Sequence, residues 1–196
     1  MKKSVKSLVL ITISALIYTT SVAQLRLPVI NNGLSNDLKK VIENYPSRFI
    51  GLMGEVINEN SQSTEYQCNF KVNGAEEAFI TRYSAKKEVC SWQAVMLTTE
   101  NFDKAKQKFK SLYTQLNNLA VNVGEEKDLH LKAGYEAPVE MKKFASIVFS
   151  LDPSSEAVKK MKVEITLQYV EPMEWKVSVL VYDRDREDNE RGKKEE

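Results

Sequence analysis

Apolar positions along this chain change their period several times, and each change marks an element. Leu38, Val41, Ile42 and Tyr45 recur at i, i+3, i+4 and i+7. They form one stripe of a helix that Ser35 or Asn36 can cap, that Asp37 suits at its positive end and that Pro46 stops. Phe49 to Ile57 is apolar but interrupted by Gly51 and Gly54, the pattern of a short edge strand or a packed turn. From Thr64 to Val72 the period drops to two, with Tyr66, Cys68, Phe70 and Val72 on one side. Asn73-Gly74 is the favoured residue pair for a two-residue type I′ hairpin, which sets Val72 against Ala75 and Cys68 against Phe79. A third strand follows after a loop over Ser84 to Lys87, placing Thr81 opposite Cys90 and Phe79 opposite Trp92.

The helical period then returns. Phe102, Ala105, Phe109, Leu112, Tyr113 and Leu116 share one stripe behind Thr98 or Thr99 as cap. Lys104, Lys106, Lys108 and Lys110 cover the other face as a solvated surface. Val121 to Val139 is polar, carries Gly124, Gly134 and Pro138, and reads as a long loop with one short strand around Leu129 to Leu131. Three strands close the pattern: Phe144 to Leu151, Lys162 to Tyr169, and one carrying Trp175, Val177, Val179 and Val181 on a single face. An odd loop, Val170 to Glu174, keeps the last two apolar rows on the same side and pairs Tyr169 with Trp175 and Leu167 with Val177. The order helix-βββ-helix-βββ predicts an α+β two-layer sandwich, a largely antiparallel sheet with both helices on one face.

At the level of element order alone, this plan resembles the small α+β fold of type III secretion chaperones and their relatives. That resemblance implies binding of protein segments without a catalytic centre. No motif accompanies it, so no functional residue is carried over, and those chaperones are cytoplasmic whereas this chain opens on an export signal.

Lys2, Lys3 and Lys6 precede an apolar stretch from Leu8 to Ile17, and Ser21-Val22-Ala23 supplies small residues for cleavage before Gln24. Residues 1–23 therefore read as a secretory signal peptide, and the apolar stretch is too short to span a bilayer. Residues 24–33, with Pro28 and Asn31-Asn32-Gly33, read as an extended leader, 34–183 as one domain, and 184–196 as a charged, disordered tail. The expected destination is the periplasm or the medium, with no transmembrane segment in the mature chain.

Of the 28 Lys and Arg residues, three lie in the signal peptide, leaving 25 against 27 Asp and Glu. Such a balance, with both signs interspersed, argues against nucleic acid as a partner. Cys68 and Cys90 are the only cysteines. An oxidising compartment favours a disulfide between them. The predicted meander opposes it, because thiols on its first and third strands lie roughly 9.6 Å apart where a disulfide needs Cα atoms within about 7 Å. The meander is the stronger reading, and Cys68–Cys90 stays as the chain's one disulfide option.

His130 is the only histidine, so zinc sites built on several imidazoles are excluded. Both cysteines fall on inward faces where a thiolate is disfavoured, and no nucleophile elbow, phosphate loop or His-Glu-x-x-His pair occurs. Asp183, Asp185, Glu187 and Asp188 mimic a calcium loop but lack its glycine and carry Arg184 and Arg186 between them. No catalytic, metal or cofactor residue is therefore assigned. Tyr135, Tyr169, Trp175 and Tyr182 are the aromatics able to line a ligand or partner surface, with core packing as the plainer alternative. The expected role is an exported, non-enzymatic binding or adaptor module that engages a protein or peptide through a sheet face or edge. A small-molecule or lipid carrier with a cavity between sheet and helices is the second reading, and a hydrolase with a dispersed site around His130 the third.

Overall fold

The computed structural model describes residues 32–84 and 89–184. Among these residues, helix α1 (Asn32–Glu43) leads into strands β1 (Met53–Glu59), β2 (Ser63–Cys68), β3 (Glu77–Tyr83) and β4 (Val89–Thr99). Helix α2 (Phe102–Leu116) leads into β5 (Ala120–Val123), β6 (Glu126–Lys132), β7 (Phe144–Asp152), β8 (Met161–Val170) and β9 (Glu174–Asp183). All nine strands join one antiparallel sheet in the order β1-β2-β3-β4-β9-β8-β7-β6-β5. Each helix thus heads a meander, α2 carries the chain to the far edge, and the two meanders meet where β4 pairs with β9. The fold is an α+β sandwich with three strands more than the sequence pattern predicts, and to that extent it departs from the order that resembles the secretion chaperones.

Both helices bury their apolar stripes in one core. Leu34, Leu38, Val41 and Ile42 of α1 and Ala105, Phe109, Leu112 and Leu116 of α2 share a cluster with Ile80, Trp92, Val163, Ile165, Leu167, Val177 and Val179. Trp92 and Phe109 have no exposed surface at all. Each large side chain so buried contributes about 1.5–3 kcal/mol relative to leaving it in water. On β9 the alternate row of Ser178, Leu180 and Tyr182 is buried as well, so this central strand is enclosed along most of its length.

Local chemistry explains where the elements start. Asn101, not Thr98 or Thr99, caps α2: its side-chain oxygen accepts the Lys104 N–H at 2.9 Å, while Thr99 still belongs to β4. Helix α1 begins at Asn32, ahead of Ser35 and Asn36, so the last two residues of the predicted leader are helical. Pro46 acts as expected, opening a short 3-10 turn at Tyr45–Ser47 after α1 has ended. The expected signal peptide, the rest of the expected leader, most of the Ser84 to Lys87 loop and the expected tail beyond Arg184 lie outside the described residues.

The β8–β9 register is the one the alternating rows dictate, Tyr169 against Trp175 and Leu167 against Val177. The β2–β3 and β3–β4 registers are each one residue away from expectation. Phe79 pairs with Gln67 and not Cys68, and Trp92 pairs with Ile80 and not Phe79. The reason lies in Asn73-Gly74, which does turn the chain, with Ala75 N–H reaching Val72 O at 3.1 Å, but does not close the hairpin. Gly74 has φ +74 while Asn73 stays outside the left-handed region, so the two positive φ values of a type I′ turn are not met. The Asn73 N–H instead donates to Asp37 of α1 at 2.8 Å. Residues 69–76 are an excursion fastened to a helix, and the ladder resumes only at Glu77. Val121 to Val139, expected as a loop with one short strand around Leu129 to Leu131, holds that strand as β6 and also supplies most of β5, through a tight turn in which Gly124 takes φ +63.

Candidate functional site

The four aromatics named from sequence do not converge. Trp175 is 5% exposed and lies in the helix-covered core, 4.9 Å from the Phe102 ring and 5.3 Å from Tyr169. Tyr182 is 3% exposed, sits on the alternate row of β9, and donates its hydroxyl to Glu164 at 2.9 Å. Tyr135 packs against Tyr113 of α2 with the rings 5.0 Å apart and tilted by 48°, where burial pushes its phenol above the ordinary range. Trp175 and Tyr182 therefore do structural work on opposite faces of one strand, and of the four aromatics the structure brings Tyr169 and Trp175 together.

Cys68 and Cys90 are not bonded to each other. They share a face, but Cys90 pairs with Arg82 and Arg82 with Thr64, which leaves Cys68 two strands across and four residues along. That offset is roughly 16 Å, more than twice the reach of a disulfide.

Around His130 the polar groups are already engaged with one another. His130 lies in β6 opposite Ala120 and Asp152, with its Nδ1 3.4 Å from Asn118 O. Lys132 binds the Asp152 carboxylate, and that hydrogen bond and charge hold Asp152 below the usual carboxylate range. Ser150 donates its hydroxyl to Lys132 O at 3.2 Å. A nucleophile needs a base to take its proton and a base needs an acid to orient it. Here the serine proton and the aspartate are both spent elsewhere. Between sheet and helices lies one contiguous core cluster, and no group of three or more metal-ligating side chains occurs among the described residues.

A concave feature of the described surface lies at the β1 end of the sheet. A groove of about 510 Å³ is bounded by Ile57, Glu65, Gln67, Phe79, Glu77 and the 70–76 segment. Gln67 and Phe79 are cross-strand partners and set its floor. Its wall is held from three sides. Lys40 of α1 stands 3.9 Å over the Phe70 ring, Asp37 takes the Asn73 N–H, and the Glu76 N–H reaches Val95 O of β4 at 2.8 Å. Glu76 also accepts the Thr98 N–H at 2.9 Å and faces Lys108 of α2, whose ammonium burial holds below its ordinary range against the opposing pull of Glu76.

Strand β1 forms the open side of this groove. Gly54 lets it approach β2 closely, since a Cβ there would stand 2.5 Å from Asn69 Oδ1 and 2.8 Å from Gln67 O. Asn69 clamps the strand's start by donating to Met53 O at 2.8 Å. Beyond Gly54 every residue from Glu55 to Glu59 is exposed, including Val56 at 53% and Ile57 at 54%. Val56 pairs with Tyr66 and Asn58 with Glu65, so Ile57 is the extra residue of a bulge. The two sheet edges are treated differently. At β5 the Glu43 carboxylate of α1 accepts the Asn122 N–H at 2.9 Å and the helix packs on the strand, whereas among the described residues β1 pairs with β2 alone.

Neither a family model, nor a curated protein, nor a solved structure matches this chain.

Proposed function

We propose that this protein is an exported, non-enzymatic binding module that takes an extended segment of a protein or peptide along β1. The observation that carries the reading is the unequal treatment of the edges: one is capped by α1, while the other presents exposed Val56 and Ile57 beside a groove. An exposed edge with apolar side chains is a template for strand addition, in which main-chain hydrogen bonds supply affinity and flanking pockets select alternate side chains. The pinned 70–76 wall supports the reading because a preformed site avoids the ordering cost of binding. The engaged polar groups around His130 favour a binding role over hydrolysis, and the contiguous core between sheet and helices favours it over carriage. Export rests on the amino-terminal pattern of Lys2, Lys3, Lys6, the apolar stretch and Ala23.

The test is a selection of random seven-residue peptides displayed on phage against residues 24–196. Enriched sequences should alternate apolar residues with period two and bind in the micromolar range as free peptides. Enrichment of helical or proline-rich sequences, or of none, contradicts strand addition.

A further inference from the structure

We infer that Asn73 is a site of spontaneous deamidation, with water as the only co-reactant, and that its conversion to isoaspartate releases the 70–76 wall of the groove. The reaction stands whether or not a peptide enters that groove. Gly follows asparagine twice among the described residues, at Asn32 and at Asn73. Asn32-Gly33 opens α1, whose helical backbone fixes the conformation at both residues. Asn73-Gly74 lies in an exposed turn, where the Ala75 N–H reaches Val72 O at 3.1 Å and Gly74 takes φ +74. With no Cβ on Gly74, its nitrogen is open to approach. Neither the Gly74 N–H nor the Asn73 carboxamide makes a hydrogen bond to a described residue, whereas the Asn73 N–H is held by Asp37. Asn60, the one described asparagine followed by Ser, is the contrast. Its side-chain oxygen accepts the Gln62 and Ser63 N–H groups at 2.8 and 2.9 Å, and its side-chain nitrogen donates to Ser63 Oγ at 3.1 Å.

In the reaction the Gly74 nitrogen attacks Asn73 Cγ. A nitrogen–carbon bond forms, the bond from Cγ to the carboxamide nitrogen breaks, and that nitrogen leaves as ammonia with the proton that Gly74 gives up. Water then opens the five-membered succinimide. Addition at Cγ gives aspartate, and addition at the main-chain carbonyl of residue 73 gives isoaspartate, whose chain runs through one extra methylene. The Lys108 ammonium stands 3.8 Å from the position a Cβ on Gly74 would take, so it favours the negative charge that develops here, while Asp37 opposes it. Either product sets a new carboxylate beside that of Asp37, and like charges so placed disfavour each other. The isoaspartate also lengthens the chain between two anchors of the wall, the Asn73 N–H on Asp37 and the Glu76 N–H on Val95 O.

The experiment incubates residues 24–196 for weeks at mildly alkaline pH and maps digests by mass spectrometry, each event adding about one dalton. Enzymatic methylation of the free carboxylate tells isoaspartate from aspartate. Asn73 should convert at least about tenfold faster than Asn32 or Asn60, which is about 1.4 kcal/mol in barrier. Asn73→Gln should abolish the fast event and leave the fold intact, because the Asp37 contact uses the main chain. In the aged protein the amides of residues 73 and 76 should exchange about tenfold faster than in the fresh one, each having lost a hydrogen bond, while those of β8 stay unchanged. Faster conversion at Asn32 or Asn60 overturns the assignment, as does no conversion at Asn73 while the urea-unfolded chain converts there. Full conversion with unchanged exchange at 73 and 76 overturns the release of the wall.

Discussion

Replacing Trp92 with Ala should destabilise the fold by about 3–5 kcal/mol, the cost of emptying a site of this size in a core that cannot collapse around it. Trp92 has no exposed surface, pairs with Ile80 on one side and Val181 on the other, and belongs to the cluster that both helices cover. Its indole Nε1 finds no hydrogen-bond acceptor in that setting. A buried donor without a partner costs about 1–3 kcal/mol. Trp92→Phe removes that donor along with part of the volume, so the two effects oppose each other and the net loss should stay below about 1.5 kcal/mol. Urea unfolding of the three proteins at equal m value reads both numbers. A Trp92→Ala variant that loses less than about 1.5 kcal/mol would show that the sheet is not packed against the helices as described.

Ile57→Ser should weaken an enriched peptide about tenfold and leave the folding midpoint almost unmoved. About half of the Ile57 side chain is already exposed, so the fold draws little from it. An occupant of the groove would cover that remaining surface, worth about 1–1.5 kcal/mol of transfer free energy, which corresponds to the tenfold change. Val148→Ser serves as the control. Val148 is exposed to a similar degree at 45% but lies on β7, at the opposite half of the sheet from β1. Equal loss in both variants would locate binding away from the groove; isothermal titration of the peptide against each variant makes the comparison.

How far the sequence reveals this fold depends on which force decided each element. The β8–β9 register was legible because Val163, Ile165 and Leu167 face Val177, Val179 and Val181, and a one-residue slip would turn an entire apolar row out of the core. The α2 stripe was legible for the same reason, since Ala105, Phe109, Leu112 and Leu116 are all buried. The β2–β3 connection was not, because a local preference for an Asn-Gly hairpin yielded to a contact 36 residues away, between Asn73 and Asp37. No periodicity announces such a contact. Leu129 to Leu131 marked part of β6, but β5 was hidden by length: it has four residues, too few for alternation to stand out. Gly124 followed by Glu125 was still a signal, since a left-handed residue at the first central position is what one of the two tight hairpin turns demands.

The candidate site was less legible than the fold. Aromatic residues drew attention to Trp175 and Tyr182, whose large apolar area is the very reason that they are buried in a central strand. The groove residues are individually plain. What distinguishes them is placement: Ile57 on an open edge, Phe79 on the floor, Glu65 and Glu77 beside it. The one sequence signal was Glu55-Val56-Ile57-Asn58-Glu59, two apolar residues between carboxylates in a segment too short and polar for the core.

The central claim is that an extended segment adds to β1 as a tenth strand. Hydrogen–deuterium exchange of residues 24–196 at amide resolution, with and without saturating peptide, tests it most directly. Strand addition predicts that the amides within 55–59 that point away from β2 slow by tenfold or more, while those of β5 at the other edge stay unchanged. Unchanged exchange across 55–59 in a protein that demonstrably holds the peptide would contradict the account.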